Sequence, residues 1–306
     1  MNFGLLKKTY EDSIKKFNQE HNGYLVSYPI RDYLDKLNHY PKIAACNYVS
    51  KEIRSFCRDM ANIYGQKTLV EFHRIILMKL IIMNYNKIFT SKLPKEIVDL
   101  YKIDFERIAN ELIKEDYIGN LLYSDDKFRK DIGICTMRLI PVGAIKIHID
   151  RLPLSFLLKQ SKKEFNESVY YLVFKLKGYK PFYNMHLYQQ TPDLMNEFNE
   201  KGWRNYYRRI AMLLEIEPKV KGIFGSSWFF DPKLKDISPH LSYLKNLVTD
   251  NGGKLFCLGP SEGAIKDSTI KSKTRYKLFL EGKYVPTRYC VVWPRYELIE
   301  WAKKSF

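Results

Sequence analysis

Lys221-Gly222-Ile223-Phe224-Gly225-Ser226-Ser227-Trp228-Phe229-Phe230-Asp231-Pro232 is the stretch on which the fold turns. It is apolar and aromatic, punctuated by glycine, and stopped by Asp-Pro. Short apolar runs bounded by turn residues read as buried strands, so a strand is expected over residues 220–230. Its far end would carry the hydroxyls of Ser226 and Ser227 and the carboxylate of Asp231. Immediately upstream, residues 193–217 have the strongest helical period in the chain. Trp203, Tyr207, Ile210 and Leu214 share one face, Arg204, Arg208 and Glu215 another, and Pro218 ends the pattern.

Working outward, the spacing predicts helices over 241–248, 269–281 and 297–303, with Ser268 and Gly282 as caps of the middle one. Strands are expected over 254–258 and 289–293. On the other side, 132–140 and 142–149 read as two strands or one bent strand. A helix follows over 153–163, then a hairpin of 169–176 and 182–188 joined through Gly178-Tyr179-Lys180-Pro181. Alternating strands and helices imply a mixed α/β sheet layer. Residues 1–125 read helical instead, with helices over 5–19, 31–37 after Tyr28-Pro29, 47–63, 68–89 and 95–114. The expected fold is therefore α+β or α/β: a helical N-terminal region, 1–125, then an α/β domain, 126–306, with the boundary at polar Ser124-Asp125-Asp126-Lys127.

The chain has 306 residues, 45% of them hydrophobic, enough for a large core. Its net charge is +17 and its pI about 9.4. Such a charge suits anionic partners such as nucleic acid, phosphates or CoA. It also suits a merely solvated surface, because 37 of the 51 basic residues are lysine. Five cysteines are scattered and never at CxxC spacing, which points away from a disulfide framework or zinc site and toward a reducing compartment. Residues 1–16 lack the apolar core of a signal peptide. The most apolar run, 75–83, is short and interrupted by Lys79, so no membrane span is expected. A soluble, cytoplasmic chain is the expectation, with the oligomeric state open.

Four groups of residues carry candidate chemistry. Arg204 and Arg208, one helical turn apart behind Gly202, suit a diphosphate or carboxylate. Ser226, Ser227, Asp231, Asp236, Ser238 and His240 crowd the end of the central strand, an inventory of nucleophile, orienter and base without a Gly-x-Ser-x-Gly elbow. His148-Ile149-Asp150 puts a histidine and a carboxylate on one strand face. With a remote histidine, His186 or His240, it would make a facial metal site for an oxygenase. Residues 263–304 hold ten Lys/Arg against four Asp/Glu, interleaved with Tyr276, Tyr284, Tyr289, Trp293, Tyr296 and Trp301, a pattern that suits single-stranded nucleic acid or an adenine nucleotide. Neither a Walker loop nor Gly-x-Gly-x-x-Gly occurs, which speaks against P-loop and Rossmann chemistry.

From residue 168 to 295 the expected order of hairpin, helix, strand, helix and final strand resembles the second half of the GNAT acyltransferase fold. Leu278-Phe279-Leu280-Glu281-Gly282-Lys283-Tyr284 is similar to that family's closing helix and Gly-aromatic turn. The family's Gln/Arg-x-x-Gly-x-Gly/Ala loop is absent, with only Gly202 near its place. Phe279 stands where the family often has a tyrosine acid, and Tyr276 lies one turn away. The resemblance implies transfer of an acyl group from a CoA- or carrier-bound donor to a small amine or hydroxyl, with acyl-CoA as co-substrate rather than bound cofactor. A helix N-terminus after a splayed strand would bind the donor's pyrophosphate. Arg204 and Arg208 would then hold the phosphates, and Ser227, Asp231 and His240 would line the acceptor side. His240 would serve as base and Tyr276 as proton donor. The competing expectations are a basic module binding nucleic acid or another polyanion, and the oxygenase at His148 and Asp150.

Overall fold

The computed structural model describes residues 2–21, 50–114, 119–154, 157, 162–187, 196–270 and 272–305. They divide into two compact units, Met1–Val142 with Tyr188–Pro192 and Gly143–Leu187 with Asp193–Phe306. The helices expected over 31–37 and, for the most part, 153–163 lie outside the described residues. Among the described residues, no helix is long and apolar enough to cross a membrane.

The first unit is helical, as its 3.6-residue period implies. It contains α1 (Phe3–Glu20), α2 (Lys51–Tyr64), α3 (Gln66–Thr90), α4 (Lys95–Leu112), α5 (Asp126–Cys135) and a two-residue strand, β1 (Ile140–Pro141). Helix α3 is apolar nearly all round and forms the centre, with Leu69, Phe72, Ile76, Leu80 and Ile81 buried. Helix α5 corrects the strand expected over 132–140. Asp125 caps it by accepting from the Phe128 N–H, and Phe128, Ile132 and Cys135 are buried along it. A side-chain cap and a packed face outweigh the β-propensity of two isoleucines. Beside it Asp131, 1% exposed, bonds Arg107 at 2.5 Å and Lys127 at 3.0 Å, so its buried charge is met by two cations.

His73 sits in this core. Its Nδ1 lies 2.5 Å from the Leu121 carbonyl and its Nε2 3.6 Å from Cys57 Sγ. Burial pulls its pKa down to about 4, against the upward pull of the bond to Leu121.

The second unit is built on a sheet of β2 (Ile145–Asp150), β3 (Phe182–Leu187), β4 (Gly222–Ser227), β5 (Lys254–Pro260) and β6 (Thr287–Pro294), in the order β2-β3-β4-β6-β5. Its remaining helices are α6 (Lys162–Tyr170, continued by a π-turn Tyr171–Lys175), α7 (Glu200–Ile216), α8 (Leu234–Ile237), α9 (Tyr243–Thr249), α10 (Glu262–Thr269), α11 (Lys273–Leu280) and α12 (Arg295–Ser305). Strand β4 is the expected central strand, but it ends at Ser227. There the Ser227 hydroxyl accepts from the Phe229 N–H and starts a 3-10 turn, Trp228–Phe230. Gly222 is required at its start: φ is +149°, and a Cβ would lie 2.3 Å from the Trp293 carbonyl oxygen.

The expected hairpin is absent. Residues 162–175 are helical, and Leu172 and Leu176, one turn apart, pack against the sheet. Strand β3 instead pairs antiparallel with β2 over six residue pairs, His148 facing Asn184 and Lys146 facing His186. The helix expected over 269–281 is present as α11 but starts at Lys273 with Ser272, not Ser268, as its cap, and a separate helix, α10, capped by Ser261, precedes it.

Strand alternation gives the sheet two distinct faces. One carries Phe182, Phe224, Phe256, Cys290 and Val292, packed with Leu152, Leu172 and Leu176. The other carries Trp293, which meets Tyr207 of α7 at 5.1 Å and Trp301 of α12 at 5.2 Å between ring centroids. Helix α7 approaches its own lead-in closely: a Cβ on Gly202 would lie 1.8 Å from the Glu197 carbonyl oxygen.

Two outcomes follow from this packing. Gly202→Ala displaces the backbone before α7 and lowers stability by about 1–3 kcal/mol, whereas Gly263→Ala, where a Cβ meets nothing within 4 Å, changes it by less than ~1 kcal/mol. Urea denaturation measures both. His73 titrates near 6.5 when unfolded and lower when folded. The unfolded chain therefore binds the extra proton between those values, and stability falls as pH drops through that window. Urea midpoints should show His73 costing roughly 2 kcal/mol at pH 5 relative to pH 8, a slope that His73→Gln removes.

Candidate active site

The sheet has one weak seam. Strands β3 and β4 run parallel, but their ladder contains only Tyr183 opposite Ile223 and Asn184 opposite Phe224. On their other sides, β3 is paired to β2 and β4 to β6 over six pairs each. Beyond Asn184 and Phe224 no ladder pair joins the two strands. At its edge the Met185 side chain packs over Gly225, its Cε 2.4 Å from where a Gly225 Cβ would be. Helix α7 follows β3 and leads back into β4, which places its N-terminus in the connection between these two strands. In open sheets, ligands bind at the carboxyl ends of strands where neighbours separate.

The N-terminus of α7 is already furnished. Asn199 caps it by accepting from the Gly202 N–H at 3.0 Å. Arg204 donates twice to Glu200, at 3.2 and 3.0 Å, and Arg209 pairs with Glu197 at 3.1 Å. Arg208, one turn after Arg204, is half-buried and reaches Met212 Sδ at 3.7 Å. Arg204 also lines a cleft of about 450 Å³ with His240, Tyr243, Asn246 and Asp250. Of the residues expected to act together, the structure thus places Arg204 and His240 on one cleft. Tyr276, half-exposed, lines a different one of about 550 Å³ with Lys266, Ser272 and Lys273.

Asp231 is 2% exposed and fully engaged. One carboxylate oxygen accepts from the Lys233 N–H at 3.0 Å. The other accepts from the Tyr284 hydroxyl at 3.1 Å and the Thr287 N–H at 3.2 Å. It pins the chain leaving β4 to the chain entering β6. Burial chiefly, with the Asp231 charge beside it, pushes the Tyr284 hydroxyl well above its ordinary pKa. Tyr284 is therefore a hydrogen-bond donor at any ordinary pH.

His148 and Asp150 do share a face, and β3 adds His186 to them. His148 Nδ1 is 3.0 Å from His186 Nε2, the two rings stacked at 4.7 Å, and His148 Nε2 is 3.3 Å from Asp150 Oδ2. Both nitrogens of His148 are thus turned to partners rather than to a common point. Among the described residues no group of three His, Cys, Asp or Glu is disposed to hold a metal ion. This arrangement corrects the oxygenase reading. Burial raises the Asp150 carboxyl, but hydrogen bonds from His148, the Arg151 N–H and Asn184 hold it below its usual range.

The aromatic stripe of the basic C-terminal segment is largely core. Tyr284, Trp293 and Trp301 are buried, while Tyr276 and Tyr296 are exposed. Arg275, 9% exposed, stacks on Trp228 at 4.8 Å and donates to Ser268 and Ser238. A continuous stacking surface for single-stranded nucleic acid is not formed by these residues.

Asp231→Ala removes three hydrogen bonds and strands the buried Tyr284 hydroxyl, and a loss of about 2–4 kcal/mol is expected in chemical denaturation. A drop in activity of this variant without loss of stability would give Asp231 a role beyond support.

No protein-family model matches the chain, and no curated protein does. Among solved structures, the chain is similar to an acyltransferase in complex with decanoyl-CoA, at 11% identity over 86% of each chain with a TM-score of 0.45. It is also similar to an acyltransferase in complex with CoA and 10C-teicoplanin, at 11% identity over 87% of each chain with a TM-score of 0.43. At these identities and TM-scores the likeness by itself fixes neither the fold nor the reaction.

Proposed function

We propose that this chain transfers an acyl group from a CoA thioester to a small amine or hydroxyl acceptor. The observation that carries the reading is the two-pair ladder between β3 and β4. Where a parallel ladder stops short, the strand edges offer backbone N–H and C=O groups to a ligand. The pantetheine arm of CoA is slender and carries two amides, so it can satisfy both edges while delivering its thioester into the sheet. The strand order, with the last strand β6 inserted beside β4 and α7 entering at the seam, supports the GNAT-like arrangement.

Arg204 and Arg208, at the start of α7, are the groups proposed for the donor's phosphates, behind the close-packed turn at Gly202. The exposed pair between Arg204 and Glu200 is worth at most about 1 kcal/mol, so a phosphate displaces it at little cost. His240 lines the cleft beside Arg204, on the side proposed for the acceptor. Ser227 and Asp231 shape the end of β4 and support it. Tyr276, on a separate cleft, is left outside the reacting centre in this reading.

The test is thermal stabilisation by acetyl-CoA, decanoyl-CoA and a short single-stranded oligonucleotide at low and moderate salt. Stabilisation by a CoA species that saturates one-to-one and survives moderate salt is expected. The variant Arg204→Ala/Arg208→Ala should weaken it about tenfold, through loss of charge-assisted bonds. Stabilisation by the oligonucleotide alone, collapsing as salt rises, would replace acyl transfer with polyanion binding.

A further inference from the structure

Helix α6 and the π-turn that continues it bury one side. Ser168, Leu172 and Leu176, spaced by four, are buried, and the two leucines pack against the sheet. The residues between them point the other way, as the helical period requires. Tyr170 is 61% exposed, Val173 54% and Phe174 63%. The Tyr170 and Phe174 rings pack on each other at 4.6 Å between centroids. Large apolar side chains that meet one another in the open form a patch, which scattered single residues do not.

The charge beside this patch has one sign. Between Glu167 and Asp193 the chain contains no Asp or Glu. Lys175, Lys177 and Lys180 are exposed just past the aromatic residues. Backbone bonds fold this turn onto the helix. The Leu176 N–H donates to the Tyr171 carbonyl at 3.0 Å, and the Gly178 N–H donates to the Leu172 carbonyl at 2.8 Å. Lys221 adds a fourth cation, since its Nζ donates to the Lys177 carbonyl. All of these residues belong to the second unit.

We propose that this face docks on an anionic lipid surface. Tyr170, Val173 and Phe174 enter at the level of the headgroups, and Lys175, Lys177, Lys180 and Lys221 meet the lipid phosphates. The proposal goes beyond acyl transfer and does not rest on it. The lysines fix the sign of the partner's charge, and the three outward side chains fix its apolar character. A stable protein interface takes about 20–30 residues a side, far more than this patch offers. A nucleic acid would supply the negative charge, but base stacking needs open ring faces. Here the two rings already pack against each other, and Val173 has nothing to stack. An interfacial lipid contact uses both features at once: aromatic rings at the polar boundary, and lysines within reach of the phosphates. Such a contact needs no spanning helix.

Co-sedimentation of the full chain with vesicles tests this. The vesicles are phosphatidylcholine with and without phosphatidylserine, at low and moderate salt. Binding to the anionic vesicles is expected, weakened but not abolished by moderate salt. A lysine near the surface is worth about fivefold in affinity. Lys175→Gln/Lys180→Gln should therefore weaken binding roughly twenty-fold. Lys277→Gln/Lys303→Gln, which removes as much charge elsewhere on the surface, should change it less than about twofold. Tyr170→Ser/Val173→Ser/Phe174→Ser should weaken it at least about tenfold with an unchanged urea midpoint, because all three side chains are exposed. Equal losses in the two lysine pairs would overturn the proposal in favour of diffuse charge. Full binding by the serine variant would overturn the insertion. Absence of binding to anionic vesicles overturns it outright. In that case a labelled oligonucleotide that binds, or a dimer of the wild type that the serine variant lacks, identifies what covers the face instead.

Discussion

The structure depends on the unequal pairing of one strand. On one edge β4 is joined to β6 by six pairs, and Gly222 lets the strands approach so closely that a Cβ would collide with the Trp293 carbonyl. On its other edge it meets β3 over two. A central strand that gives up most of one ladder leaves backbone groups that must be satisfied by something else. The fold compensates with rigidity elsewhere. Aromatic packing of Tyr207, Trp293 and Trp301 clamps α7 and α12 to one face, and the Asp231 clamp ties the exit of β4 to the entrance of β6. A seam can stay open only if both of its walls are fixed independently, and here they are: β3 by β2, and β4 by β6.

Much of this was legible in the sequence, for physical reasons that differ from element to element. The central strand, α7, α3 and β6 were readable because their burial is strong and their periods are unambiguous. Residues 132–135 and 169–175 were not, because β-branched and aromatic residues there form helices whose stability comes from Asp125 at a cap and from Leu172 against the sheet. Local propensity is a weak prior, and tertiary contacts outweighed it in both places. The start of α11 turned on Ser272 as the cap in place of Ser268, and α10 before it, capped by Ser261, went unread.

The site was less legible than the fold. Proximity in sequence drew Ser227, Asp231 and His240 together, but the chain turns sharply after Ser227. Asp231 points into a clamp and His240 out onto a cleft. Arg204 and Arg208 share a helix face as their spacing implied, yet the carboxylates that meet the arginines of α7, Glu200 and Glu197, are set by the shape of its N-terminus rather than by the arginine spacing. The pair His148 and Asp150 was visible from alternation alone. Its third member was narrowed only to His186 or His240, because the partner strand of β2 cannot be known until the supposed hairpin is recognised as a helix. Once β3 is paired with β2, His186 falls beside His148 without further assumption.

The same pairing explains why a carboxylate and two imidazoles stand close together without the convergence of a facial metal site. A facial site needs three lone pairs converging on one point about 2 Å from each donor. Stacked rings on adjacent strands direct the nitrogen of one toward the other along the sheet surface, His186 Nε2 to His148 Nδ1, and not toward a common point.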